Sequence, residues 1–399
     1  MTFAFTPSTL LDNAESPSVE VGFGSNAYEV TRKVLQSIPL ARVSGARVLL
    51  KPNAGRMAAP ASGIDTHPEV VAAAIDAFVE AGANVSVGDS PIAGVRSLEA
   101  LELCGIAQVV RERNAKLLDL DLRPPTIIRL NSGRILQQLK VCADVLEHDL
   151  IVSIPVMKTH MHTGVTLAVK NMKGCLWRRS KTELHMLDSI EGCPDRPLDI
   201  AIADMTELLR PHLTVVDGIV GLEGLGPSAG TTKKLGAVVV SADAFAADAV
   251  SCHLMGYIAA EIPHLRLGAE RRFGIIKLES LRVSPPGWAH GADPFVRPPS
   301  EIAINFPGVR VLDQNSCSAC QSTLLMFLKR YGENIVHYFG KRLPVNIAIG
   351  KGHEALDSGT LCLGNCTIEH RKRGPFVPGC PPVVSSIHDV LTRGSAKGD

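Results

Sequence analysis

The residues able to do chemistry in this chain fall into two groups. The first is a set of C-terminal cysteines: Cys317 and Cys320 spaced C-x-x-C, Cys362 and Cys366 in LCLGNC, and Cys380 in VPGCPP. In that last string the glycine permits close backbone approach or a positive φ. The prolines hold Cys380 extended, so its thiol is pinned in a rigid turn. A disulfide would not need that stiffness, whereas a thiolate that must meet a preformed inorganic object benefits from it. Two readings compete. Zinc takes four thiolates from two short knuckles, which would leave Cys380 idle. An iron-sulfur cluster takes four cysteines from Gly- and Pro-rich loops, often with a Cys-Pro step at the last ligand.

The second group sits where strands are expected to end. Lys51 and Asn53 lie in KPN, Asp89 and Ser90 in GDSP, and Lys158, His160 and His162 in MKTHMHTGVT. Lys170, Asn171 and Lys173 follow in VKNMKG, then Asp217 and Glu223 in VVDGIVGLEGLGP. Singly, each is good turn chemistry or a solvated charge. Together, at the carboxyl ends of parallel strands, they would converge on one site. Several lysines there suit a small anionic substrate, a carboxylate or a phosphate. Lys158, His160 and His162 alternate, so they share a face if the strand continues. They are the catalytic candidates, with either histidine supplying protons near neutral pH. The two histidines could instead ligate a metal or be hydrogen-bonded structural groups. Lys51, Asn53, Asp89, Ser90, Lys170, Asn171, Lys173, Asp217 and Glu223 are the substrate-binding candidates. No P-loop, strand-anchored G-x-G-x-x-G or G-x-S-x-G elbow is present.

The elements that must position these groups alternate in type. ARVLLKPN reads as a strand and turn, HPEVVAAAIDAFVEAGA as a helix with Pro68 in its first turn and Gly82 at its end. NVSVGDSP is a second strand, SLEALELCGIAQVVRERNA one or two helices, and DLIVSIPVMKTH a third strand, apolar on both faces. A helix PLDIAIADMTELLRPH, a strand LTVVDGIVG and a strand-helix unit GAVVVSADAFAADAV complete the pattern. This predicts an α/β fold, a mainly parallel sheet flanked by helices. The Pro- and Gly-rich stretch 284–300 reads as a linker. The expected organisation is an N-terminal extension over 1–44, an α/β domain over 45–283, that linker, and a small C-terminal iron-sulfur module over 301–399.

The 399 residues carry a formal charge of +1, and 4% are aromatic. There is no basic excess to neutralise phosphates and little to stack on bases, so nucleic acid is not an expected partner. No basic leader precedes an apolar core at the N-terminus, and no apolar run is long enough for a membrane helix, so a cytoplasmic protein without membrane contact is expected. Ten cysteines in a reducing compartment are then free thiols or metal ligands rather than disulfides.

Two resemblances follow from these strings. LGNCTIEHRKRGPFVPGCPPVVSSIHDVL resembles the cluster loop of the small cluster-bearing subunit of respiratory complex I and of hydrogenase small subunits. It covers about 30 residues and implies that Cys366 and Cys380 are ligands of a 4Fe-4S cluster. Complex I has adjacent cysteines at the first pair; here Cys317 and Cys320 are taken as the other two ligands, and Cys362 as a packed thiol. The ordered set KPN, GDS, KTH, Thr166 to Gly174, Gly221 to Pro227, and Asp243 with Asp248 resembles the domain of unknown function 362 family over residues 48 to about 255. Many members carry an added iron-sulfur segment, although the family implies no assigned chemistry. A more distant similarity, to the N-terminal domain of lactate racemase-like proteins, rests on too few residues to adopt. The resulting expectation is an iron-sulfur oxidoreductase served by an electron donor such as a ferredoxin; a homodimer is one assembly it could form. A non-redox isomerase or lyase, or a non-enzymatic electron carrier or redox sensor, is the alternative.

Overall fold

The computed structural model describes residues 16–395 apart from 189, 299–305 and 340–342. The chain forms two compact units, dividing between Pro298 and Pro299. In the first, the strands are β1 (Ser18–Phe23), β2 (Arg47–Pro52), β3 (Asn84–Asp89), β4 (Lys116–Asp119), β5 (Thr126–Arg129), β6 (Gln138–Val141), β7 (Leu150–Ile154), β8 (Val156–His160), β9 (Gly164–Thr166), β10 (Leu213–Glu223), β11 (Thr231–Lys233), β12 (Ala237–Ser241) and β13 (Arg282–Ser284). The main sheet has the order β13-β1-β12-β10-β7-β2-β3-β4. It is parallel from β10 through β7, β2 and β3 to β4. On the other side β12 runs antiparallel to both β10 and β1. The α/β class with a mainly parallel sheet is therefore what the chain adopts.

Alternation along each strand splits the core into two layers. Val48, Leu50, Val152, Val215, Val238 and Val240 face one helical layer. Leu49, Ile151, Val216 and Val239 face the other. Both faces are covered, which is why these strands read as continuous apolar runs. Helix Pro68–Glu80 begins as its sequence predicts, with Pro68 in the first turn and the His67 ring accepting from Glu69 N–H.

Three expectations need correcting. The expected 1–44 extension is, over its described residues 16–44, not separate from the domain: β1 pairs with β12 and with β13, and helix Ala27–Leu35 buries Val30, Val34 and Leu35. Buried Val19 and Val21, two residues apart, are the strand signal in this stretch. Residues 284–298 are not a free linker, because Phe295 enters the core and Val296 N–H donates to Glu223 at 2.9 Å. DLIVSIPVMKTH is two strands, broken at Pro155, which has no N–H for the ladder. Long β10 pairs first with β7 and then, in the same register, with β8, the register shifting only between Asp217 and Leu222.

The second unit is a four-stranded parallel sheet in sequential order: β14 (Val309–Asp313), β15 (Val345–Ile349), β16 (Leu361–Leu363) and β17 (Phe376–Val377). Helices Ser318–Tyr331 and Val384–Ser395 belong to it, with Leu324, Phe327, Leu328 and Leu391 buried. Among the described residues, no helix is long and apolar enough to cross a membrane.

Candidate functional site

Strands β2 and β3 are parallel neighbours, so their carboxyl ends put Lys51 beside Asp89. The two side chains form an ion pair at 2.7 Å, Lys51 being fully buried. Lys51 Nζ also donates to Asn171 Oδ1 at 3.1 Å and to Pro52 O at 2.8 Å. Asn53 Nδ2 donates to the same Asn171 oxygen at 3.1 Å. Asn171 Nδ2 returns bonds to Lys51 O and Ser153 Oγ. The short helix bearing Asn171 is anchored by Asp248, whose carboxylate accepts from Ala168 N–H at 2.7 Å and Val169 N–H at 3.0 Å. Just beyond it Gly174 lies against the ion pair, where any Cβ would overlap Asp89 Oδ1 and the Lys51 ammonium. That explains the glycine in VKNMKG.

Lys158 extends this network from β8. Its Nζ donates to Asn53 Oδ1 at 2.7 Å and to Ile64 O at 2.5 Å. Burial pulls its pKa down to about 8, although the nearby Asp65 carboxylate favours the charged form. Asp65 is itself pushed up to about 7, mainly by burial, with Lys158 acting against that shift. Asp65 accepts from Arg56 N–H on one oxygen, while the other is buried without a hydrogen-bond partner. Burial thus moves both groups toward their neutral forms, while the charge of each holds the other back.

Beyond Lys158 lies a crowd of bases. Lys170 Nζ donates to Thr166 Oγ1 at 3.0 Å, and Lys173 Nζ lies 2.8 Å from His185 Nε2. His160 Nδ1 accepts from the backbone N–H groups of His162 and Thr163, so its neutral ring carries the proton on Nε2. Burial lowers His160, Lys170 and His185 well below their ordinary values. Neighbouring positive charges push the same way: Lys170 on His160, and Lys173 on both Lys170 and His185. The rings of His160 and His162 stand 6.2 Å apart.

The sequence-predicted residues thus divide. Lys51, Asn53, Asp89, Lys158 and Asn171 form one hydrogen-bonded chain, and His160, His162, Lys170 and Lys173 adjoin it. Asp217 and Glu223 hold backbone instead. Asp217 accepts from His67 N–H at 2.7 Å, at the start of helix Pro68–Glu80, and Glu223 accepts from Val296. Ser90 turns to a neighbouring cluster, donating to Asp121 at 2.6 Å and accepting from buried Lys181. Arg56, Asp65 and His185 were not read from the sequence. Arg56 and Asp65 follow KPN by only a few residues, but their loop has no periodicity to mark which side chains turn inward.

The cysteines are organised by the second sheet. Cys317 and Cys320 follow β14 and begin helix Ser318–Tyr331; Cys366 follows β16, and Cys380 follows β17. All four therefore leave the carboxyl edge of one parallel sheet. The thiol of Cys320 hydrogen-bonds to that of Cys317 and is raised further by the charges of Cys366 and Cys380. Cys317 is lowered to about 6, first by Cys320 and then by backbone N–H groups of the helix start. A Cβ on Gly364, whose φ is +90°, would press against Cys320 Sγ. Cys362 differs: it is buried within β16 and directs its thiol to the carbonyls of Thr360 and His370. Among the described residues, no three His, Cys, Asp or Glu side chains form a group that could hold a single metal ion.

The chain has relatives. It is 30% identical over 237 residues to the Thylakoid-associated protein sll1697 of Synechocystis sp., an alignment covering 58% of this chain and 69% of that protein. Among solved structures it is similar to the lactate racemase apoprotein from Thermoanaerobacterium thermosaccharolyticum, with a TM-score of 0.38 and 15% identity over 61% of this chain. It spans 57% of that racemase chain, and a likeness so shallow has no bearing on function. Residues 48–253, which carry every strand-end motif described above, match the model of the domain of unknown function DUF362, and the chain belongs to that family.

Proposed function

We propose that the protein is an iron-sulfur oxidoreductase whose α/β unit holds a small anionic substrate. The observation that carries this reading is the gathering of Cys317, Cys320, Cys366 and Cys380 at one sheet edge while Cys362 turns into the sheet. Four thiols from three loops are the ligand number and loop origin that a 4Fe-4S cluster takes. A 4Fe-4S cluster bound there would supply one-electron transfer, drawing on a donor such as a ferredoxin. The helix start at Cys317 favours the thiolate that ligation requires. In the α/β unit, Lys158, Lys170 and Lys173 neutralise the substrate's charge, Lys51 and Asn171 fix the geometry around them, and His160 or His162 delivers protons.

Anaerobic purification should yield about four irons and four sulfides per chain, with a charge-transfer band and no stoichiometric zinc. One zinc per chain without that band would sink the cluster. The Asp65–Lys158 pair favours a second reading, a non-redox isomerase or lyase that moves a proton next to a carboxylate. Substrate-dependent reoxidation of the reduced cluster supports the oxidoreductase; solvent deuterium entering a small carboxylate with no change of cluster oxidation state supports the isomerase or lyase.

A further inference from the structure

A cavity of about 580 Å³ lies in the α/β unit, and no residue of the strand-end cluster lines it. Ala249 and His253, one turn apart on helix Ala244–Leu254, form one wall. Helix Pro263–Glu270 contributes Ala269, and the segment after it contributes Ile275, Ile276 and Leu278. The walls are therefore mainly aliphatic, and the size is that of pockets for small organic ligands. Tyr257 joins them from the turn between the two helices. Its N–H donates to Cys252 O at 2.7 Å, and Gly256 before it has φ +76°. The Arg297 guanidinium covers the ring 4.6 Å from its centroid and is itself held by Gly256 O at 3.1 Å and Glu261 at 3.6 Å. The ring is thus fixed in place. Tyr257 is only 7% exposed, yet its buried hydroxyl has no hydrogen-bond partner. A buried hydroxyl left so is uncommon and costly. The charged residues of the lining balance, Arg266 and Lys277 against Glu270 and Glu279. Arg266 is already engaged by Asp195 at 2.6 Å and by Glu270 at 2.8 Å, while Lys277 and Glu279 are exposed.

We propose that this cavity is a binding site for a neutral, mostly apolar molecule whose carbonyl oxygen accepts a hydrogen bond from Tyr257. The site is additional to the strand-end residues and does not rest on the function proposed above. Removing apolar surface from water supplies the affinity, and one oriented hydroxyl supplies the selection. Burial raises the Tyr257 pKa to about 12, so the hydroxyl keeps its proton and donates at neutral pH. A carboxylate would bring its charge against Glu270 and Glu279, and an ammonium against Arg266 and Lys277. Either would also give up hydration to an aliphatic wall. A carbonyl needs one donor and carries no hydrogen of its own that would ask for a second partner there.

The test is calorimetric titration of the full chain at neutral pH with 2-dodecanone, dodecanoate and dodecylammonium, each below its micellar concentration. The ketone should bind at least about tenfold more tightly than either ion. Tyr257→Phe removes only the hydroxyl. It should melt no lower than the natural protein and bind the ketone about five- to tenfold more weakly, with the ions little changed. Ala269→Leu, at a half-buried position on the wall, fills part of the cavity and should abolish ketone binding. An ion binding as tightly as the ketone, or full ketone affinity in Tyr257→Phe, overturns the proposal. So does a natural protein that binds no ketone, and so does binding that survives Ala269→Leu, which would put the ligand elsewhere. Sedimentation as a dimer that Ala269→Leu dissociates would assign this face to a second copy of the chain and overturn it equally.

Discussion

A single buried carboxylate without a counter-charge already fixes a pH response. Asp217 is fully buried, and burial raises it from 3.8 to about 6, against the lowering effect of its bonds from His67 and Ile219. Because the folded value lies above the unfolded one, the stability it contributes is complete below about pH 4 and is lost as pH rises through 6. The loss is on the order of 3 kcal/mol. Denaturant unfolding of Asp217→Asn should therefore gain on the natural protein between pH 4 and 7; a constant difference would refute the assignment. Cysteine chemistry is read at the same scale. Replacing Cys317, Cys320, Cys366 or Cys380 by serine should remove or degrade the iron absorbance, whereas Cys362→Ser should keep it, since that thiol serves two carbonyls. Loss of the cluster in Cys362→Ser with retention in Cys366→Ser would exchange their roles.

Short elements aim these side chains, and there legibility in the sequence was uneven. KPN, GDS and KTH announced themselves because turn residues directly follow apolar runs. The contact between Lys51 and Asn171 spans 120 residues, and only strand order brings it about. Nothing local told Asp217, which ties down a helix start, from Asp89, which pairs with a lysine, because each comes directly after a short β-branched run, LTVV and NVSVG. The break at Pro155 was visible as a residue but not as a consequence, since it is β10, much later in the chain, that carries the pairing on from β7 to β8. Gly174 gives this scale its test. An added methyl must displace the Lys51–Asp89 pair, so Gly174→Ala should cost about 1–3 kcal/mol and weaken anion binding. Unchanged melting and binding would show that the turn relaxes freely.

Across the whole α/β unit the decisive feature is where β1 finds its partners. Val21 lies opposite Val239, and Ser18 opposite Arg282, so the first strand is held by two of the last. A variant beginning at Gly24 exposes the edges of β12 and β13 and uncovers Val30 and Val34; it should unfold at lower denaturant or aggregate, as light scattering would show. A freely soluble variant of unchanged stability would make β1 dispensable. Pairings this distant in sequence also slow folding. During synthesis β1 leaves the ribosome first, yet its partners are made more than two hundred residues later. At roughly 5–20 residues per second that is a wait of about ten seconds or more, and an apolar strand must spend it unpaired. The order of synthesis thus makes the closing of this sheet edge one of the last events in the folding of the α/β unit.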